Sequence, residues 1–94
     1  MIITWDESKN RSNQSKHKVS FETAQLVFDD PLHVSRLDRI EHGEQRWQTI
    51  GMVHDLVLLL VAHSVTESDG QETIRIVSAR KADRNERRIY EQTH

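Results

Sequence analysis

No cysteine occurs among the 94 residues of the chain, which excludes disulfide frameworks and thiolate zinc sites alike. Glycine occurs three times, and neither GxGxxG nor GxxxxGK[ST] is present, so a glycine-rich loop that cradles phosphate is not expected. The longest apolar run, Leu56 to Ala62, is far too short to span a bilayer. The opening Met1-Ile2-Ile3-Thr4-Trp5-Asp6 has neither a basic region nor a long apolar stretch, so no signal peptide is expected. A cytoplasmic location with no membrane partner is the default. The six histidines, at 17, 33, 42, 54, 63 and 94, form no HxH, HxxxH or HExxH pair, so neither a metal nor another cofactor is expected. No GxSxG elbow supports a serine nucleophile.

The length fits a single domain over residues 1–94 with one modest core. The formal net charge of −2 conceals a segregation: residues 1–20 carry +2, residues 21–70 carry −6 and residues 71–94 carry +2. That total argues against a protein that simply coats nucleic acid. It leaves room for a local basic patch built from the two ends of the chain.

Ile2 to Trp5 reads as a short strand, and Asp6 as the N-cap of a helix through about Lys16. That helix is nearly all polar, with almost no apolar stripe to pack. Ser20 caps a second helix, whose Phe21, Ala24, Val27 and Phe28 share one face and which Asp29-Asp30-Pro31 ends. Strands follow: a polar edge over His33 to Ile40, then Arg46 to Val53 with Gly51 as a bulge candidate. Asp55 to Val65 contains the only continuous apolar run and is expected at the centre of the sheet. A turn at Glu67-Ser68-Asp69-Gly70 leads to the last strand, Thr73 to Ala79. Asp83 and Glu86 form a capping-box pattern for a final helix to about Gln92. The class is α+β, in the order β-α-α-β-β-β-β-α.

The best chemical candidate is Ile74-Arg75-Ile76-Val77-Ser78-Ala79-Arg80-Lys81. Arg75 sits inside an apolar strand, where a charge must face solvent or a partner. Arg80 and Lys81 stand where the strand leaves the sheet, outside the apolar pattern, so replacing both is expected to leave the fold nearly intact. Arg84, Arg87 and Arg88 share one face of the final helix. Guanidinium groups suit phosphate oxygens; the alternative is solubilising charge paired with Asp83, Glu86 and Glu91. Asn10, Asn13 and His17 form a polar stripe on the first helix, either functional or engaged in local capping. His63 falls on the face opposite Arg75 if the hairpin turns tightly or through four residues; a bulge would reverse that.

These residues, taken in order, resemble the BrnT family of toxins over nearly the whole chain. The matching features are Trp5-Asp6-Glu7, Lys9-Asn10, Asn13, Lys16-His17 and Val19-Ser20-Phe21, then Ala24 and Val27-Phe28-Asp29-Asp30-Pro31. Ile74 to Ala82, Glu86-Arg87-Arg88 and Tyr90-Glu91 complete the set. The resemblance implies a RelE-like fold, a curved antiparallel sheet with two N-terminal helices and one C-terminal helix on one side. It also implies a metal-independent endoribonuclease that inhibits translation and growth. The implied partners are RNA and a BrnA-type antitoxin with a ribbon-helix-helix module, DNA being contacted only through the antitoxin complex. The family's serine-alanine-basic-basic segment is here Ser78-Ala79-Arg80-Lys81, and its second basic residue is more often arginine. Catalytic roles then fall to Arg80, Lys81 and Arg75, with His63 or His17 for proton transfer. RNA contacts fall to Lys16, Arg84, Arg87 and Arg88. Two rivals are a degenerate toxin acting as antitoxin-binding co-repressor, and a metal-dependent hydrolase, which the histidine spacing disfavours.

Overall fold

The computed structural model describes residues 1–93; His94 lies outside them. Strand β1 (Ile2–Trp5) leads into helix α1 (Glu7–His17), where the Asp6 carboxylate accepts the N–H groups of Ser8 (2.8 Å) and Lys9 (3.4 Å). Lys18, in left-handed backbone, ends α1. Helix α2 (Phe21–Ala24) runs on into a 3-10 turn (Gln25–Asp29), followed by β2 (Val34–Glu41), β3 (Glu44–Val53), β4 (Val57–Ser68), β5 (Gln71–Lys81) and α3 (Arg84–Gln92). The element order is the one read from the sequence.

The strands form one sheet in the order β1-β5-β4-β3-β2, which puts the apolar run of β4 at its centre and polar β2 at an edge. Strands β2 to β5 are antiparallel neighbours, joined by three tight turns with positive φ, at His42-Gly43, His54-Asp55 and Asp69-Gly70. The sheet is nonetheless mixed: β1 pairs parallel to β5, Ile2 to Trp5 lying beside Thr73 to Ile76. A parallel pair needs a long connection, and everything from α1 to β4 lies between these two strands.

The helices lie on both faces, not on one. Val19, Phe21, Ala24 and Val27 pack on Val53, Leu59, Val61, Ile76 and Ala79 to make the main core, on what we term the helical face. The other face carries a smaller cluster of Ile50, Leu58 and Leu60, which Tyr90 and Ile89 of α3 cover at one end. The run Leu58-Leu59-Leu60-Val61 is apolar on alternate sides, so each face presents surface that needs a cover. The rest of this second face carries no helix among the described residues and is termed the open face.

Two polar devices replace apolar packing at α1. Asn13 is buried; its Nδ2 donates to the carbonyls of Val19 (2.9 Å) and Ala79 (2.8 Å), and its Oδ1 accepts the Ala79 N–H (3.1 Å). Asn10 accepts the Phe21 N–H (2.8 Å) and donates to Glu7 (2.9 Å) and Glu22 (2.8 Å). The polar stripe is therefore a pair of clips that dock α1 on β5 and α2. Gly51 pairs regularly with Leu59 and is not a bulge. Its role is close approach: a Cβ there would lie 2.7 Å from the Val27 Cβ and 2.9 Å from the Val27 carbonyl oxygen.

Candidate functional site

The position of the bulge in the β4–β5 hairpin decides which side chains meet. From the turn, β4 and β5 pair one to one from Ser68–Gln71 to His63–Ile76; the register then slips so that Ala62 faces Ser78 and Val77 is the extra residue. Side chains alternate along a strand, so Arg75 and Arg80, five positions apart, belong on opposite faces of a regular β5. The bulge puts both on the open face, with Ser78 between them.

The neighbouring strands extend this surface. One cross-strand row runs Arg39, Arg46, Ser64, Arg75, and the next runs Arg36, Gln48, Ala62, Ser78. The central strand contributes only the small Ala62 and Ser64, so the rows form a trough with a low floor and arginine walls. A hollow of about 260 Å³ lies there, lined by Asp38, Arg39, Arg46, Gln48, Ala62 and Ser78 among others. Arg75 is exposed and forms no ion pair among the described residues. Arg46 binds Glu44 through Nη2 (3.1 Å), while its buried Nε has no partner among the described residues. Arg36 donates twice to Gln48 (3.0 and 3.2 Å).

Arg80 is held differently. Its two terminal nitrogens donate to the two carboxylate oxygens of Glu86, each at 2.8 Å. Glu86 is buried at 5% exposure and also accepts the Asp83 N–H (2.9 Å), completing the capping box of α3. The hydrogen bond from Arg80 holds the Glu86 carboxyl below its ordinary pKa, and Glu86 in turn raises that of Arg80. One end of the trough is thus an arginine fixed in direction by a carboxylate.

The other predicted residues scatter. Lys81 faces the helical side, opposite to Arg80, and is exposed. His63 also lies on the helical face, opposite to Arg75 as a tight turn requires, because the bulge comes later than this pair. It is 3% exposed, with Nε2 2.7 Å from the Thr49 hydroxyl and the Phe28 ring edge-on at 5.1 Å. Burial pushes the pKa of its imidazole down. Arg84, Arg87 and Arg88 are exposed on α3 and form no ion pairs among the described residues, Glu86 being engaged by Arg80. Lys16 and His17 end α1 on the far side of β5 from the trough, where they line a separate hollow. The structure therefore joins Arg75 and Arg80, and adds Arg36, Arg46, Gln48 and the clamp Glu86. The alternation of Arg46 and Gln48 in β3 was the available signal for these; their partner across β4 was not visible without the register.

A family described as "Ribonuclease toxin, BrnT, of type II toxin-antitoxin system" matches residues 5–86. That span runs from the end of β1 to the carboxylate that holds Arg80. The fold is similar to the 1.1 Å crystal structure of the Brucella abortus ribonuclease toxin BrnT, 27% identical, with 89% of this chain and 99% of that chain covered and a TM-score of 0.64. Comparison with curated proteins gives no match. Because the family match spans most of the chain, trough and clamp included, the protein belongs to the BrnT family of ribonuclease toxins of type II toxin–antitoxin systems.

Proposed function

We propose that this protein cuts RNA in the arginine trough of the open face, in the cytoplasm and without a metal, and thereby stops translation and growth. Its antidote in this reading is a BrnA-type ribbon-helix-helix antitoxin, through which alone the complex touches DNA. The observation that carries the proposal is the β5 bulge, which gathers Arg75 and Arg80 on one face beside Arg46. In cleavage by the neighbouring 2′-hydroxyl, charge builds on the phosphoryl oxygens as the P–O5′ bond breaks. Cations already in place stabilise that charge without reorganising, and holding the strand in line lowers the barrier further. Arg75 is the free cation and Arg80 the directed one. Arg84, Arg87 and Arg88, on the outer side of α3, add general attraction for a polyanion. The absence of cysteine and the unpaired histidines support metal independence. Among the described residues, no three His, Asp or Glu side chains gather in a way that could hold an ion.

The test uses purified toxin, freed from antitoxin, and a single-stranded RNA substrate in excess EDTA. Cleavage is expected to persist. Arg75→Ala is expected to lower it by on the order of a hundredfold, the effect of removing one preorganised charge-stabilising group. Lys81→Ala, on the other face, is expected to lower it far less. Cleavage that disappears in EDTA and returns with magnesium, or an Arg75→Ala protein of full activity, would refute the proposal.

A further inference from the structure

A second basic hollow, of about 190 Å³, lies between α1 and the outer edge of β5. It is lined by Lys9, Ser12, Asn13, Lys16, His17, Val77 and Ser78, and so by two lysines and an imidazole with no carboxylate. Its existence follows from the fold. Strand β1 stops at Trp5, level with Ile76, so no strand among the described residues covers the edge of β5 beyond that point. Helix α1 lies there instead, held to Ala79 by Asn13. Docking through a short asparagine leaves the longer side chains of residues 9, 16 and 17 around the rim.

Val77 and Ser78 line this hollow and also the trough on the open face. The bulge is thus a shared sill between two cationic depressions, one walled by Arg39 and Arg46 and the other by Lys9 and Lys16. The neighbouring acids are engaged elsewhere: Asp38 pairs with Arg39, Glu44 with Arg46, and Glu7 accepts hydrogen bonds from Trp5 and Asn10. A single phosphate would occupy only one depression; a chain of phosphates can occupy both.

We infer that a single-stranded RNA runs from the open-face trough over the Val77–Ser78 bulge into the α1 hollow, where Lys9, Lys16 and His17 hold a phosphate flanking the scissile one. This rests on the ribonuclease reading above and adds a subsite to it. It makes the substrate a strand of several nucleotides, since a dinucleotide cannot reach both depressions. A positively charged groove that tracks the backbone is the general solution for single-stranded nucleic acid.

The test is binding of uncleavable 2′-O-methyl RNA, as a dinucleotide and a hexanucleotide, by fluorescence anisotropy over a range of salt. The proteins compared are the wild type and the double variant Lys9→Gln, Lys16→Gln, whose positions are exposed on α1 and whose melting temperature is checked. The hexanucleotide is expected to bind the variant about tenfold more weakly or worse, with a salt slope shallower by about 0.7 for the one single-strand phosphate no longer neutralised. The dinucleotide is expected to change less than twofold. A variant that binds the hexanucleotide as the wild type does, with the same slope, would overturn the subsite while leaving the trough in place. So would unchanged RNA binding combined with lost antitoxin binding, which would make the hollow a protein-docking surface. Failure of the wild type to bind either RNA would overturn the ribonuclease reading itself, and the subsite with it.

Discussion

Replacing Arg80 with alanine tests the site and the fold together. From its place at the end of β5, Arg80 reads as a surface cation whose loss costs little. The structure says otherwise, because the Glu86 carboxylate it binds is buried and would keep only the Asp83 N–H. Removing one partner of a fully buried ion pair costs about 3–5 kcal/mol. The Arg80 side chain is 39% exposed against 7% for Glu86, so water screens part of the interaction and about 1–3 kcal/mol is the appropriate range. For a domain of this size that is a fall in melting temperature of roughly 5–20 °C. Activity should fall further, by on the order of a hundredfold, because the cation at the end of the trough is gone. Two companions separate the effects. Arg80→Ala with Glu86→Leu removes the stranded carboxylate and is expected to recover much of the lost stability but none of the activity. Glu86→Gln keeps the cation and releases its direction, so it is expected to lower kcat more than it raises KM. The assays are thermal unfolding by circular dichroism and RNA cleavage under single-turnover conditions. An Arg80→Ala protein that melts with the wild type would refute the clamp. One that loses stability but cuts RNA normally would make Arg80 purely structural.

Two further outcomes follow from buried polar groups. Asn13→Ala strands the Ala79 N–H and the carbonyls of Ala79 and Val19, and is expected to cost about 2–4 kcal/mol, read as a lowered urea midpoint; an unchanged midpoint would mean that α1 is held by something else. His63 is kept neutral by burial, with a folded pKa below its ordinary value. As pH falls below about 6.5 the unfolded chain takes up that proton first, so the contribution of His63 to stability is complete above this pH and is lost on the way down to the folded pKa. Urea midpoints at pH 7.5 and 5.5 should therefore differ more for the wild type than for His63→Gln, and an equal difference in both would contradict the assignment.

Much of the architecture was readable in the chain. Asp6, Ser20 and Asp83 cap helices where their spacing said they would, because a cap depends only on residues three positions away. Leu58 to Val61 took the centre of the sheet because no other segment is apolar on both sides. The basic segment from Arg75 to Lys81 was also visible as the chemical candidate, since cations in and beside an apolar strand have to face something.

What the tertiary structure decided were matters of register and of long-range partnership. Nothing in Val77-Ser78, neither glycine nor proline, announces a bulge, yet that one residue moves Arg80 to the face of Arg75 and leaves Lys81 on the other. The polar stripe of α1 looked as apt for ligand as for structure; only the arrival of Ala79, 66 residues away in sequence, shows that Asn13 is a clip. Glu86 was legible as half of a capping box, a local pattern, but its second role needs β5 and α3 folded against each other. Local hydrogen bonds can be read from spacing because the chain itself holds the partners close. Partners across a sheet are set by where the strands slip, and a slip of one residue reverses every side chain beyond it.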